Sequence, residues 1–125
     1  MTSPWMVETG NPASYRVEHE QGCAIVVGSG EIDLATVAEF HRALDVAAAL
    51  SGRIVVDLED VRFMDSSGLG VVLRARGRGR PPSISLVRPP NVLRKVLHLT
   101  SLGELLPVYP TRQDAIDETN REHLM

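Results

Sequence analysis

Apolar and polar positions near the start of the chain follow a pattern that predicts a β-hairpin. Tyr and Val alternate with charged residues over Tyr15–Glu20, Gln21-Gly22 supplies a turn, and Cys23–Val27 is a denser apolar run. Alternation is typical of a half-buried strand, whereas a continuous β-branched run is typical of a strand that is buried on both faces. We therefore expect the hairpin to lead into a sheet.

A change to apolar residues spaced three and four apart predicts the first helix. It is expected to begin after Asp33, whose side chain can cap a helix, and to end at Leu50, before Gly52. Its predicted buried face is Leu34, Val37, Ala38, Leu44, Ala47 and Ala48. That face is expected to pack on the sheet.

The rest of the chain repeats this order of strands and helices. "RIVVDL" and "SISLV" are short β-branched runs of the kind that form buried strands, and "LLPVY" predicts a last strand-like segment. Helices are expected over Ser66–Arg76, after Asn91 as a cap, and from Arg112 with Thr111 as a cap. The second helix is expected to bury Leu69, Val72 and Leu73, and the third Val92, Val96 and Leu97.

Strands that alternate with helices favour an α/β fold, in which crossover helices join parallel strands. The 125 residues are enough for one compact domain and too few for two. The first residues mix Pro, Gly, Ser, Thr and Asn without periodicity. We therefore expect a mobile arm over residues 1–14 and a single domain over residues 15–125.

Composition and charge narrow the function classes. A formal charge of −3 gives no overall attraction for nucleic acid, and charges interrupt every apolar stretch before it could span a bilayer. The start of the chain lacks the features of a secretory signal, and one cysteine cannot build a disulfide framework. The four histidines have no ligand-like spacing. A cytoplasmic protein is expected, with no metal, no cofactor, and no direct contact with nucleic acid or membrane.

The stretch "MDSSGLG" lies between a predicted strand and the second helix, where the ligands of α/β sheets gather. Asp65 can be a plain N-cap that accepts hydrogen bonds from the amides of Ser67 or Gly68. A serine hydrolase is disfavoured because the leading glycine of Gly-x-Ser-x-Gly is absent, and the phosphate-loop pattern is absent as well. The remaining interpretation is that a serine accepts a phosphoryl group.

Three stretches together carry a family resemblance: "GEIDLATV", "VVDLEDVRFMDSSGLGVVL" and "NVLRKVLHLTSLGELLPVY". They resemble successive landmarks of the STAS domain of bacterial anti-sigma factor antagonists, from about Tyr15 to the C-terminal helix. The most specific part is the hexad Asp-Ser-Ser-Gly-Leu-Gly, residues 65–70. The resemblance implies a small mixed β-sheet with about four helices packed largely on one side.

The resemblance also implies a partner switch. The unmodified chain would bind an anti-sigma factor that is also a serine kinase, and a sigma factor would be released. The kinase would phosphorylate Ser66, the serine directly after the aspartate, which abolishes binding, and a serine phosphatase would reverse the reaction. The chain would thus be a substrate and not an enzyme, and a monomer or weak dimer. The surroundings of the phosphorylation site are Asp33, Asp65, Ser67, Gly68 and Leu69.

Several alternatives stay open at this point. Ser67 is the alternative acceptor, Gly68 either admits a kinase or packs closely, and Asp33 and Asp65 are helix caps, site residues or both. A second function class is a non-switching STAS module that binds an anion or nucleotide, or serves as a subunit of a lipid-transport or stress-signalling assembly. A hydrolase is third, because no histidine is recognisably placed as a base for either serine.

Overall fold

The computed structural model describes residues 13–77 and 82–124 of the chain. Residues 1–12, most of the predicted mobile arm, lie outside the described residues. The last two residues of that arm, Ala13 and Ser14, belong to strand β1 (Ala13–Glu20). Strand β2 (Cys23–Ile32) pairs with β1 in antiparallel fashion, which confirms the predicted hairpin.

The hairpin turn consists of Gln21 and Gly22, whose φ angles are 50° and 83°. Two central residues with positive φ are typical of the type I′ turn, whose twist matches that of the strands it joins. Glycine adopts this conformation without the steric cost that other residues meet, so the sequence fixes the position of the turn.

Three further strands complete a mixed sheet. They are β3 (Arg53–Met64), β4 (Ser83–Val87) and β5 (Val108–Tyr109), in the order β1-β2-β3-β4-β5. The strands β2 to β5 run parallel, and only β1 is antiparallel to its neighbour. The sequence predicted all five strands, but β2 and β3 both continue well beyond the apolar runs that indicated them.

Helices connect the parallel strands, as the alternation predicted. They are α1 (Val37–Leu50), α2 (Ser66–Arg76), α3 (Asn91–Leu99), the single turn α4 (Leu102–Leu105) and α5 (Arg112–Leu124). The first three helices and the α4 region contribute side chains to the larger core, whereas α5 packs on the opposite face of the sheet. The mixed α/β architecture is confirmed. The described residues form five helices, one more than the four that the sequence predicted, and the additional one is α4.

The core contains the residues that the sequence predicted for β3 and α2. Val55, Val56, Leu58 and Val72 have no exposed surface. Leu69 and Leu73 are half-buried and pack against the larger core.

The buried face of α1 differs from the predicted one. Phe40, Ala43, Leu44 and Ala47 face the core, and the Phe40 ring stacks on Tyr15 with 5.5 Å between the ring centroids. The exposed members of the predicted face are Leu34, Ala38 and Ala48. The prediction was right at Leu44 and Ala47, and it failed at Leu34 because that residue lies in the loop before the helix.

The buried face of α3 was predicted correctly only at Leu97. Pro90 is the N-cap and Asn91 is the first helical residue, not the cap. Leu93 and Leu97 are buried, whereas Val92 is 75% exposed. The apolar arc of this helix is wider than the part that reaches the core, and only the tertiary packing decides which residues of the arc are covered.

Helix α5 begins at Arg112, as predicted, and the Arg112 guanidinium group attaches its first turn to the sheet. Thr111 Oγ1 accepts a hydrogen bond from the Asp114 N–H at 3.0 Å. Arg112 donates from Nη2 to Asp57 Oδ2 at 3.0 Å and from Nη1 to Glu18 Oε1 at 2.9 Å. Asp57 is only 7% exposed, so this pair fixes the first turn of α5 to the middle of β3.

The far end of α5 lies against the hairpin turn. Asn120 Nδ2 donates to the Gln21 carbonyl at 2.9 Å, and its Oδ1 accepts from Arg53 Nη1 at 2.9 Å. Gln21 precedes β2 and Arg53 begins β3. The end of α5 therefore lies at the amino ends of the parallel strands.

Candidate functional site

The amino end of α2 has the cap that the sequence predicted. Asp65 Oδ1 accepts hydrogen bonds from the N–H of Ser67 at 2.8 Å and from the N–H of Gly68 at 3.4 Å. The Ser67 hydroxyl donates to the same oxygen. One carboxylate oxygen therefore satisfies two of the helix N–H groups that have no intrahelical partner.

Asp65 also joins the hexad to the loop between β2 and α1. Its N–H donates to the Ile32 carbonyl at 3.0 Å, and its carboxylate lies close enough to the N–H of Leu34 for that group to help lower the pKa of Asp65. The pKa of Asp65 is lowered, mainly by the hydrogen bond from the Ser67 hydroxyl. Partial burial of the carboxyl acts in the opposite direction and raises its pKa, whereas the backbone N–H groups lower it further. The stability that this carboxylate contributes is therefore present above its ordinary pKa of 3.8 and is lost as the pH falls through the lower folded value.

The two serines of the hexad have different environments. Ser66 is exposed on the first turn of α2, and its hydroxyl makes no hydrogen bond with another residue in the described part of the chain. Ser67 is partly buried, and its hydroxyl is bound to Asp65. Of the two hydroxyls, that of Ser66 is the one that a second protein can reach without breaking the cap.

Gly68 and Leu69 belong to the packed side of α2. Gly68 is buried, and a Cβ atom on it would lie 2.9 Å from Ile32 Cγ2 and 2.9 Å from Met64 Cγ. Leu69 is half-buried and packs against the larger core. Close packing of the helix on β2 and β3 is therefore sufficient reason for a glycine at position 68.

Asp33 is not the N-cap of α1. The helix begins at Val37, and Thr36 is its N-cap. Asp33 Oδ1 accepts from the Ala35 N–H at 3.0 Å, and the Asp33 N–H donates to Thr36 Oγ1 at 3.1 Å. Asp33 thus closes a tight turn before the helix. The Thr-x-x-Glu spacing from Thr36 to Glu39 was the sequence signal that favoured the later start.

Sequence reasoning missed the exposed apolar residue Leu34. Leu34 is 79% exposed, and its N–H helps to lower the pKa of Asp65, so it lies beside the first residue of the hexad. The spacing of apolar residues had assigned it to the core. The loop that carries Asp33 therefore adds exposed apolar surface beside Asp65, the residue before Ser66.

The described residues, 13–77 and 82–124, contain neither a group of metal-ligating side chains nor a membrane-spanning helix. Within these ranges, no three His, Cys, Asp or Glu side chains are grouped so that they could hold a metal ion. No helix among the same residues is long and apolar enough to cross a membrane.

Comparison with known protein families supports the resemblance that the hexad and the fold indicate. The family described as "Mlab, STAS domain" matches residues 15–107. The chain belongs to the STAS domain family. A protein of Paenibacillus polymyxa named "Anti-sigma F factor antagonist" is 32% identical to it over 108 residues, which cover 82% of this chain and 91% of that protein.

Solved structures of anti-sigma factor antagonists have the same architecture. An anti-sigma factor antagonist from Mycobacterium paratuberculosis matches with a TM-score of 0.77 and 30% identity, over 87% of this chain and 95% of that one. The Bacillus cell fate determinant SpoIIAA in its phosphorylated form matches with a TM-score of 0.62 and 26% identity, over 84% and 98% of the two chains. The resemblance to the STAS domain is therefore confirmed.

Measurements of unfolding can distinguish a structural role of Asp65 from an exposed, non-structural position of Ser66 in this STAS domain. Asp65→Ala is expected to lower the free energy of unfolding by about 0.5–2 kcal/mol, because two backbone N–H groups lose their cap. Ser66→Ala is expected to change it by at most about 0.5 kcal/mol, because the side chain is exposed. Thermal unfolding of both variants beside the wild type tests this. A Ser66→Ala protein that melts several degrees early would mean that the hydroxyl is structural.

Proposed function

We propose that this STAS domain is an anti-sigma factor antagonist. In its unmodified form it binds an anti-sigma factor with serine kinase activity through the surface around Ser66, and a sigma factor is released. Phosphorylation of Ser66 ends the binding, and a serine phosphatase restores it. Such a protein acts in the cytoplasm, where sigma factors act, and it is the substrate of both enzymes. The relatives that are named as antagonists support this role.

The observation that carries the proposal is the exposed hydroxyl of Ser66. Its neighbours Asp65 and Ser67 are both engaged in the cap, so a kinase can use Ser66 without unfolding the first turn of α2. In the reaction the γ-phosphoryl group of ATP passes to Ser66 Oγ, the hydroxyl proton is lost and ADP leaves. The phosphorylated form of SpoIIAA, a structural neighbour, supports a modification of this type.

The charge of the phosphoryl group explains how binding would end. It adds about −1.5 to −2 charges at pH 7, and the amino end of a helix tolerates them well, so the domain keeps its fold. An interface around Ser66 would bury this charge beside the Asp65 carboxylate and the exposed Leu34 side chain. Desolvation and like-charge repulsion both oppose such a complex. The switch is therefore a local change in electrostatics.

Intact-mass analysis tests the modification directly. The domain is incubated with ATP and with the anti-sigma factor encoded in the same genome, and the product is then mapped by peptide mass spectrometry. We expect the mass of one phosphoryl group on Ser66, none on Ser66→Ala, and an unchanged gain on the matched variant Ser67→Ala. A gain confined to Ser67 would assign the role to the other serine, and no gain with any such kinase would contradict the switch.

A non-switching module is the second candidate, because the matching family description names "Mlab" and not an antagonist. Such a module would bind its partner equally well with and without ATP. The same incubation, followed by size-exclusion chromatography, separates the two functions. A complex that persists after complete ATP treatment would favour the second one.

A further inference from the structure

Strand β3 has a free edge beyond the end of β4. Its pairing with β4 ends at Asp57 and Val87, whereas its pairing with β2 continues to Met64. The Asp57 carboxylate accepts the N–H of Glu59 at 3.1 Å, at the point where β4 stops. Over residues 60–64 no described strand pairs with β3 on the side of β4. An unpaired strand edge is a template for another extended chain.

A cleft of about 670 Å³ lies along this edge. One wall is the end of β3, and the other is the connection from β4 to α3 together with the first turn of α3. The side chains that give the cleft its chemistry are Glu59, Arg62, Phe63, Arg88, Val92 and Arg94. We call this feature the edge cleft. Neither serine of the hexad lines it, although Met64, which does, lies two residues before Ser66.

The edge cleft combines exposed apolar surface with positive charge. Phe63 is 50% exposed and Val92 is 75% exposed. The arginines of the cleft outnumber its one glutamate, although the chain as a whole has a formal charge of −3. Arg88 lies 3.9 Å from Glu59, and both side chains are more than half exposed, so this pair is weak and a competing carboxylate can replace it.

Arg88 has an unusual backbone conformation at the rim of the edge cleft. Its φ angle is 48°, in the left-handed region, and the residue that follows is Pro89. A residue before proline ordinarily adopts an extended conformation, so this one is strained. The Tyr109 carbonyl, which accepts the Arg88 N–H at 3.2 Å, helps to hold it. Backbone strain of this kind is found most often at active sites and ligand-binding segments.

We propose that the edge cleft binds an extended acidic segment of a protein partner, which adds to β3 as a further strand. The backbone of the segment would pair with the free edge, its carboxylates would meet the arginines, and an apolar side chain would lie between Phe63 and Val92. A concave cleft along a strand edge fits a chain segment better than it fits the flat surface of a membrane. This site goes beyond the proposed function, since it needs neither Ser66 nor its phosphorylation.

Peptide display on the complete chain tests the preference. Random peptides on phage are selected against the immobilised protein at low ionic strength. We expect enriched sequences in which Asp and Glu surround alternating apolar residues, and binding that weakens as salt is added. Enrichment of Lys- and Arg-rich peptides, or of no sequence class at all, would overturn the proposal.

An enriched peptide is then titrated into the ¹⁵N-labelled chain. Shifts are expected at Arg62, Phe63 and Val92, and Arg62→Glu or Arg94→Glu should weaken binding by about tenfold or more. The matched control Arg42→Glu, on the exposed side of α1, should bind as the wild type does. A peptide with proline at its centre should fail, because strand addition needs its N–H groups. Shifts elsewhere, equal loss in the control, or binding of phosphatidylglycerol vesicles in place of peptides would overturn the proposal.

Discussion

Ser66→Asp is expected to weaken the complex with the anti-sigma factor by about 10²- to 10³-fold while leaving the fold intact. The negative side chain would stand beside Asp65 in a surface that loses water on binding, so repulsion and desolvation act together. The phosphorylated protein should lose at least as much affinity, because its charge is larger. Isothermal titration with the purified anti-sigma factor, in the absence of ATP, measures the difference.

Ser66→Asn is the matched control for this measurement. It has nearly the same shape as the aspartate variant but no charge, so it should bind within a few-fold of the wild type if charge is the cause. Equal loss in both variants would point to a steric effect. Tight binding of Ser66→Asp would contradict the switch, whereas failure of the wild type to bind would contradict the assignment of the partner itself.

Gly68→Ala is expected to lower the free energy of unfolding by about 1–3 kcal/mol, since the added methyl group overpacks the core. The new Cβ atom would lie 2.9 Å from Ile32 Cγ2 and 2.9 Å from both Cγ and Cε of Met64. Moving the Cε end of Met64 alone would not relieve the contacts with Met64 Cγ and with the branched Ile32 side chain. To relieve this contact, the amino end of α2 has to move away from β2 and β3. Urea unfolding at equilibrium measures the loss.

Gly70→Ala, two residues further along the same helix, is not expected to lower the free energy of unfolding. Its Cβ atom would meet the end of the flexible Arg74 side chain, with Nη1 at 3.2 Å. Because alanine favours a helix over glycine by roughly 1 kcal/mol, this variant should be neutral or more stable than the wild type. If both variants destabilised the domain equally, helix propensity and local packing would not explain the glycines of the hexad.

Local chemistry was enough to predict the central part of the site. The cap by Asp65, the bounds of α2 and the turn at Gln21-Gly22 depend on residues that are neighbours in sequence, and all three were confirmed. The length of β3 could not be predicted in this way. Charged residues after Leu58 end the apolar run, and only pairing with β2 shows that the strand continues to Met64.

Features that depend on distant contacts were predicted less well. The sequence placed the start of α1 directly after Asp33, whereas the helix begins at Val37. In the structure the Thr36 hydroxyl donates to the Glu31 carbonyl at 2.9 Å, a contact with the end of β2 that sequence alone does not show. That error hid the exposure of Leu34 beside the hexad. The free edge of β3 was likewise invisible, since it arises from the different lengths of two neighbouring strands.

The position of α5 determines the direction in which a label or surface joined to the end of this helix would point. Its last turns lie by the hairpin turn, at the amino ends of the parallel strands, whereas the hexad and the edge cleft lie at the carboxyl ends. A fluorophore, a purification tag or a sensor surface that is joined after α5 therefore points away from both binding regions. Tethered in this orientation, the domain would leave both proposed binding regions uncovered by its own anchor.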